Sequence, residues 1–119
     1  MENENWVLFR ILQAWGAHPR VRLARTNTGV GWFAKGEPAR KSDPGAYPVK
    51  FGVPGTGDAT GLIAPQGRFL MVETKKTGGK QRQAQKIMQR VVTQFGGLYV
   101  LAFSLEDMDR AMAAEGIHR

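Results

Sequence analysis

Residues 68–75 constrain the fold of this chain more than any other segment. Successive side chains of a strand point to opposite faces, so Leu70 and Val72 share one face while Phe69 and Met71 share the other. A strand that is apolar on both faces is typical of a central position in a sheet that is covered on both sides. We therefore expect residues 68–75 to be buried in the middle of a sheet.

Other periodic segments predict the elements around this strand. Segment 80–95 predicts a helix that ends at Gly96 and Gly97, with one apolar stripe that we expect to face the sheet: Ala84, Ile87, Met88, Val91, Val92 and Phe95. The full order is a helix over 6–15, an exposed or edge strand over 21–26, strands over 60–64 and 68–75, the helix over 80–95, a strand over 98–103 and a helix from a cap at Ser104 to about Ala114. This order predicts an α/β fold with a mixed central sheet flanked by helices.

Composition limits the class of protein. The 119 residues are enough for a single domain, 1–119, and the lack of cysteine excludes disulfides and thiolate zinc sites and suits a reducing cytoplasm. The sequence contains no apolar run long enough to predict a signal peptide or a membrane span. We therefore expect a cytoplasmic protein with no membrane partner. Seventeen Lys and Arg against ten Asp and Glu give a net charge of +7. This excess favours a polyanionic partner, although a solubilising surface would have the same composition.

Segment 27–57 is rich in glycine and proline, with aromatic residues placed among basic ones. Long connections of this kind are usually functional or mobile, and we expect a hairpin with a mobile tip. Cations beside aromatic rings suit phosphates and unstacked bases, which predicts a nucleic-acid contact. The alternative is that Trp32, Phe33 and Tyr47 pack on the domain or at a dimer interface. The predicted DNA-binding residues are Lys35, Arg40, Lys41 and Lys50, together with Lys76 and Lys80 beyond the central strand.

Glu73 and Lys75 place two charges on one face of the strand that we expect to be buried. Because an isolated charge is costly to bury, buried charges are usually paired or bound to a metal ion. An ion pair at an exposed strand end would have the same spacing. The pair therefore indicates a functional centre only if other polar residues converge on it.

Asp58 is the first residue that could converge, because it immediately precedes the neighbouring strand. Two carboxylates at adjoining strand ends suit a hard cation such as Mg²⁺ or Mn²⁺, and they leave positions for water and phosphate. A turn aspartate that bonds its own backbone is the alternative in so glycine-rich a stretch. Gln85, at the edge of the apolar stripe, either faces the sheet or is an exposed amide of a glutamine-rich helix.

These motifs together resemble the VRR-NUC family, the virus-type replication-repair nucleases of the PD-(D/E)xK superfamily. The resemblance covers roughly residues 4–103 and rests on Gly57-Asp58, on 69–75 with its Glu73-Thr74-Lys75, on 80–86 leading into the helix with Gln85, and on 25–29, which reads Arg-Thr-Asn-Thr-Gly. The chain departs from the family at Gly57, where many members have proline before the aspartate. The resemblance implies a PD-(D/E)xK restriction-endonuclease-like core.

The resemblance also implies roles for individual residues. Asp58, Glu73 and the backbone carbonyl of Thr74 would bind Mg²⁺ or Mn²⁺. Lys75 would orient or activate the attacking water, and Gln85 would hold Lys75 or that water in place.

A glutamate on the first helix would be an outer ligand or would reach a second metal ion through water. We assign this role to Glu4 rather than Glu2, because only from Glu4 do Ile11, Leu12 and Trp15 fall at the offsets usual in the family.

The function implied by the resemblance is metal-dependent hydrolysis of phosphodiester bonds in DNA. Branched DNA such as a Holliday junction is the expected substrate, and a homodimer is the expected active form, since two strands must be cut. Trp6 and Trp15, the aromatic loop, and Met108 and Met112 of the last helix are candidates for the dimer contact, although these residues could instead complete the core of a monomer. The alternatives are a non-catalytic nucleic-acid-binding module and a repair or restriction-type nuclease with another substrate geometry.

Overall fold

The computed structural model describes residues 3–26 and 29–119. Glu2, Asn27 and Thr28, which enter the family resemblance, lie outside these residues, as does the side chain of Lys50. The elements are α1 (Glu4–Trp15), β1 (Val21–Arg25), β2 (Gly29–Ala34), β3 (Glu37–Pro38), β4 (Tyr47–Phe51), β5 (Ala59–Ile63), β6 (Arg68–Thr74), α2 (Gln83–Gln94), β7 (Leu98–Ala102) and α3 (Leu105–Ala114). The predicted order is confirmed once β2, β3 and β4 are set aside.

The main sheet has the strand order β1-β5-β6-β7, with β6 in an interior position. β6 pairs antiparallel with β5 and parallel with β7, so the sheet is mixed, as predicted. β1 lies at one edge, and its side chains alternate between buried Val21 and Leu23 and exposed Arg22 and Ala24. Close strand packing depends on Gly61, because a Cβ there would lie 1.7 Å from the carbonyl oxygen of Arg22.

Helices cover both faces of this sheet, which makes the fold a layered α/β arrangement. α1 and α3 pack on one face, where Ile11 and Met108 meet Leu70 and Val72 of the central strand. α2 covers part of the other face, where Val92 packs with Met71 and Tyr99. None of the described helices has the length and apolar character needed to span a membrane.

The prediction for α2 was wrong in its rotation about the helix axis and in its first residue. The helix begins at Gln83 rather than Lys80, and only Val92 of the predicted stripe is buried. Ile87, Val91 and Phe95 are exposed, with 86% of Phe95 accessible to solvent. The side of the helix that meets the sheet instead includes the polar side chain of Gln85, which is buried there and donates a hydrogen bond to Glu73.

Three of the candidates for a dimer contact are part of the core, which confirms for these three the alternative to a dimer contact. Met108 and Met112 are fully buried, and Trp15 is buried with its indole N–H donating to Asp109 Oδ1 at 2.9 Å. They lie on the sheet-facing side of their helices, so they complete the core under the sheet. Trp6 is half-exposed and stacks on Phe9, with ring centroids 5.5 Å apart.

Segment 29–51 forms a separate three-stranded antiparallel sheet, which we call the arm. Its strand order is β3-β2-β4, so the predicted hairpin exists but carries a third short strand. No residue of 31–49 is buried. The aromatic rings instead make contacts inside the arm: Phe33 stacks with Tyr47 at 6.5 Å, and Lys41 Nζ lies 5.6 Å from the centre of the Trp32 ring.

Candidate functional site

The pairing of β5 with β6 brings the two predicted carboxylates to one end of the main sheet. Ala59 is opposite Val72, so Asp58 and Glu73 are the next residues along their strands. Asp58 Oδ2 accepts hydrogen bonds from the backbone N–H and the hydroxyl of Thr74, both at 2.8 Å. Asp58 is therefore fixed against the central strand rather than bonded to its own turn.

Gly57 allows this close approach. A Cβ at Gly57 would lie 2.7 Å from the carbonyl oxygen of Val72 and 2.8 Å from Met71 Cγ. The backbone N–H of Gly57 donates to Met71 Sδ at 3.4 Å. Glycine before Asp58 thus has a local cause, since only glycine fits this contact without displacing β6.

Glu73 is the most unusual group of the site. Only 3% of the residue is exposed; Oε1 accepts from Gln85 Nε2 at 2.8 Å and lies 3.7 Å from Lys75 Nζ. Oε2 is buried, and it has no hydrogen-bond partner among residues 3–26 and 29–119. Burial and the neighbouring charge of Asp58 raise the pKa of Glu73 to about 7, although Lys75 and Arg82 oppose the shift. A buried, unsatisfied carboxylate oxygen is costly unless something binds it.

Gln85 holds Glu73 in its orientation. The side chain is only 2% exposed, so the alternative of an exposed amide is wrong. Its Oε1 accepts from the backbone N–H of Arg82 at 2.8 Å, which fixes the amide so that Nε2 points at Glu73. The family resemblance implied that Gln85 holds Lys75 or a water molecule, whereas its observed side-chain partner is the carboxylate of Glu73.

Lys75 and Glu4 complete the set of predicted centre residues. Lys75 is 8% exposed and follows β6 directly, with its backbone N–H donating to Ala102 O at 3.0 Å. Glu4 is the first residue of α1, and its carbonyl oxygen lies 3.4 Å from Thr74 Oγ1. The carboxylate of Glu4 is exposed but near enough to raise the pKa of Glu73.

A cavity of about 390 Å³ opens at this end of the sheet. Its lining includes the side chains of Asp58, Glu73 and Gln85, and also those of Arg25 and Arg82. We did not predict the two arginines as site residues. Arg25 stands in the segment that resembles the family, whereas Arg82 is recognisable as the residue before α2 only once the helix is known to begin at Gln83.

The donor set of the cavity suits a hard divalent cation. Two carboxylates meet there, and the buried Oε2 of Glu73 lacks a partner that a cation would supply. Within 3–26 and 29–119, no group of three or more His, Cys, Asp or Glu side chains could hold a metal ion. A cation at this point would therefore need the two carboxylates together with a backbone oxygen, such as that of Thr74, and water.

The predicted DNA-binding residues lie in two regions. Lys35, Arg40 and Lys41 are exposed on the arm, and Lys76 and Lys80 are exposed between β6 and α2. None of these five belongs to the cavity lining. The structure thus brings together Asp58, Glu73, Lys75 and Gln85, and these five predicted DNA-binding residues lie outside that cluster.

Comparisons with protein-family models, with curated proteins and with solved structures give no match to this chain.

The raised pKa of Glu73 predicts how stability changes with pH in metal-free protein. The pKa is about 7 in the folded state against 4.5 for an ordinary glutamate, so between these values the folded state binds more protons than the unfolded state. The free energy of unfolding should fall as the pH rises from 4.5 to 7, by about 3 kcal/mol at most. Glu73→Gln cannot ionise and should be more stable than wild type at about pH 8, with the difference shrinking as the pH falls toward the ordinary glutamate pKa of 4.5.

Urea unfolding of both proteins in a chelating buffer, at a series of pH values, measures this difference. A difference that does not change with pH would show that Glu73 is not the titrating group.

Proposed function

We propose that this chain is a metal-dependent DNA endonuclease with a PD-(D/E)xK core. The observation that carries the proposal is the convergence of Asp58 and Glu73 at one cavity, with Lys75 Nζ 3.7 Å from Glu73 Oε1 and a buried Glu73 Oε2 that has no hydrogen-bond partner among the described residues. A purely structural ion pair would not require the second carboxylate or the unsatisfied oxygen. The resemblance to the VRR-NUC family, which rests on the same residues, supports this chemistry.

The residues at the cavity would have different roles in the reaction. Asp58 and Glu73, with the backbone carbonyl of Thr74, would hold Mg²⁺ or Mn²⁺, and Glu4 would reach it through water. When bound, such an ion polarises the phosphodiester and lowers the pKa of a water molecule. Thr74 fixes the orientation of Asp58 through its two hydrogen bonds. Gln85 is a positioning residue, because it acts on the cavity through Glu73.

Lys75 supplies the positive charge of the centre. Its ammonium group lies 3.7 Å from Glu73 Oε1 in a largely buried position, where electrostatic interactions are stronger than in water. Lys75 Nζ can orient the attacking water by donating a hydrogen bond and can stabilise negative charge that develops on the phosphate. This role requires the ammonium, whereas metal binding does not.

One cleavage experiment tests the proposal. Labelled Holliday junction, flap, duplex and single-stranded DNA are incubated with the protein and Mg²⁺ or Mn²⁺, with a chelator as the control. We expect metal-dependent cleavage, strongest on the branched substrates. Binding without cleavage under every condition would favour a non-catalytic nucleic-acid-binding module, and cleavage of unbranched duplex alone would favour a restriction-type nuclease.

We expect the arm to contribute to DNA binding. Neutralising Lys35, Arg40, Lys41 and Lys50 to alanine should weaken junction binding and flatten its dependence on salt, because each lost phosphate contact lowers the slope by about one. Fluorescence anisotropy over a range of salt concentrations measures both quantities. A matched comparison uses two double variants that each remove two positive charges. Arg40→Ala/Lys41→Ala changes the arm, and Arg110→Ala/Arg119→Ala, at the other end of the chain, is the control. Equal slopes for these two pairs would rule out a specific role of the arm.

We expect the active species to be a homodimer, because two incisions in a junction call for two centres related by a two-fold axis. With Trp15, Met108 and Met112 in the core, Trp6 and the aromatic side chains of the arm remain as candidates for the contact, and the structure adds the exposed Phe95 at the end of α2. Light scattering of the free protein and of its junction complex should give two chains per particle. One chain in both samples would contradict the dimer and weaken the case for a junction-resolving enzyme.

A further inference from the structure

Arg25 and Arg82 approach the carboxylate cavity from two sides. Arg25 is the last residue of β1, at the edge of the sheet beyond β5, whereas Arg82 immediately precedes α2, which lies over the other side of β6. Asp58 and Glu73 stand between them at the ends of β5 and β6. A ligand that crosses the cavity would therefore meet one guanidinium on each side of the carboxylates.

Neither arginine neutralises the carboxylates directly. In the part of the chain that the structure describes, Lys75 is the ion-pair partner of Glu73, and no ion pair includes Arg25 or Arg82. Both residues are exposed to solvent and line the cavity. Their cationic groups are thus available to an anion that enters the cavity.

The start of α2 adds positive electrostatic potential on the Arg82 side of the cavity. An arginine in the cap position has no side-chain oxygen, and no side-chain cap bond forms there. The first-turn N–H groups of a helix carry partial positive charge, which favours an anion near them. A serine or aspartate at position 82 would cap the helix better, so the arginine is a costly choice for stability alone.

We propose that Arg25 and Arg82 bind two phosphates of one DNA strand, one on each side of the carboxylate pair. The guanidinium fork matches phosphate oxygens in a bidentate geometry, which a single ammonium does not. The strand then runs across the cavity from β1 toward α2, and the phosphate to be cut is held between the two contacts. This inference rests on the proposed function and names the path of its substrate.

The first test is binding of a labelled Holliday junction in a chelating buffer, so that no cleavage occurs. Arg25→Ala and Arg82→Ala should each weaken binding about tenfold, and the lysine variants should recover part of the loss. Arg90→Ala, an exposed arginine of α2 outside the cavity, is the matched control and should bind as wild type does. Alanine variants that bind as tightly as Arg90→Ala would overturn the proposal.

The second test identifies the phosphates. A series of junctions carries one uncharged methylphosphonate at successive positions from the branch point. Wild type should lose affinity at two separate positions, Arg25→Ala should be insensitive at one of them, and Arg82→Ala at the other. If both variants keep the full wild-type pattern, the arginines do not contact phosphate.

The outcomes separate this inference from the proposed function. One outcome is that wild type never cleaves DNA while each arginine variant is insensitive to the methylphosphonate at one of the two positions. In that case the proposed phosphate contacts are supported and the proposed nuclease activity is contradicted. If wild type cleaves and the variants keep the wild-type pattern, the nuclease activity stands and the strand path fails.

Discussion

Glu73→Ala and Asp58→Asn are each expected to reduce cleavage of branched DNA by about a thousandfold or more, because both carboxylates would hold the metal ion on which the reaction depends. The fold should persist, since the amide introduced by Asp58→Asn retains an oxygen for the two Thr74 donors and the removed Glu73 carboxylate is costly to bury when ionised. Binding of DNA should also stay largely intact. Cleavage rates with Mn²⁺, the affinity for the same junction and thermal unfolding measure cleavage, DNA binding and the fold, respectively.

Glu106→Gln is the control for these substitutions. Glu106 is an exposed glutamate in the first turn of α3, away from the cavity, and its variant should cleave as fast as wild type. Cleavage within about tenfold of wild type by Glu73→Ala or by Asp58→Asn would refute the assignment of that carboxylate.

Lys75→Ala is expected to remove cleavage while Mn²⁺ binding stays measurable, because an ammonium group is not a metal ligand. Because Lys75 lowers the pKa of Glu73, removing Lys75 raises that pKa further. Metal binding should therefore be measured well above pH 7, where Glu73 is ionised. Calorimetric titration with Mn²⁺ separates binding from catalysis. The adjacent Lys76→Ala is a matched control, since Lys76 is exposed and lies outside the cavity lining.

A loss of Mn²⁺ binding by Lys75→Ala equal to that of Glu73→Ala would mean that Lys75 holds the centre together. Normal cleavage by Lys75→Ala would remove the lysine from the mechanism altogether.

The central strand and its charged end could be predicted because they depend on one short-range rule. A period of two in residues 68–75 puts Glu73 and Lys75 on one face, and the hairpin to β5 brings Asp58 alongside. Each inference needed only neighbouring residues and a turn. The cap of α3 was predictable for the same reason, with Ser104 accepting from the Asp107 N–H at 3.2 Å.

The rotation of α2 could not be predicted from its apolar residues. Their stripe favoured burial of Ile87, Val91 and Phe95, but the side that meets the sheet carries Gln85, whose amide donates to Glu73 and accepts from the Arg82 N–H. The helix thus buries a polar side chain that has partners and leaves apolar residues exposed. Periodicity does not contain that information, because it carries no record of which partners a polar side chain finds.

The arginines of the cavity were missed for a related reason. Arg25 and Arg82 are far apart in the chain, and their approach to one cavity follows from sheet order and helix placement. Among seventeen basic residues, their positions in the sequence alone do not show that they meet. The third strand of the arm was also missed, because β3 consists of only two residues, Glu37 and Pro38, and such a segment has no periodicity to detect.

The arm leaves and rejoins the main sheet at neighbouring points. Arg25 pairs with Ala59, and the backbone N–H of Thr26 donates to Asp58 O at 2.8 Å, so the two ends of the intervening segment are already joined by the strand ladder. Such a segment can change in length or sequence during evolution at little cost to the core, since its ends need not move. Under the proposed function, this arrangement would confine the chemistry to the fixed geometry of strand ends, and preference among nucleic-acid shapes would be free to diversify in an exchangeable module beside it.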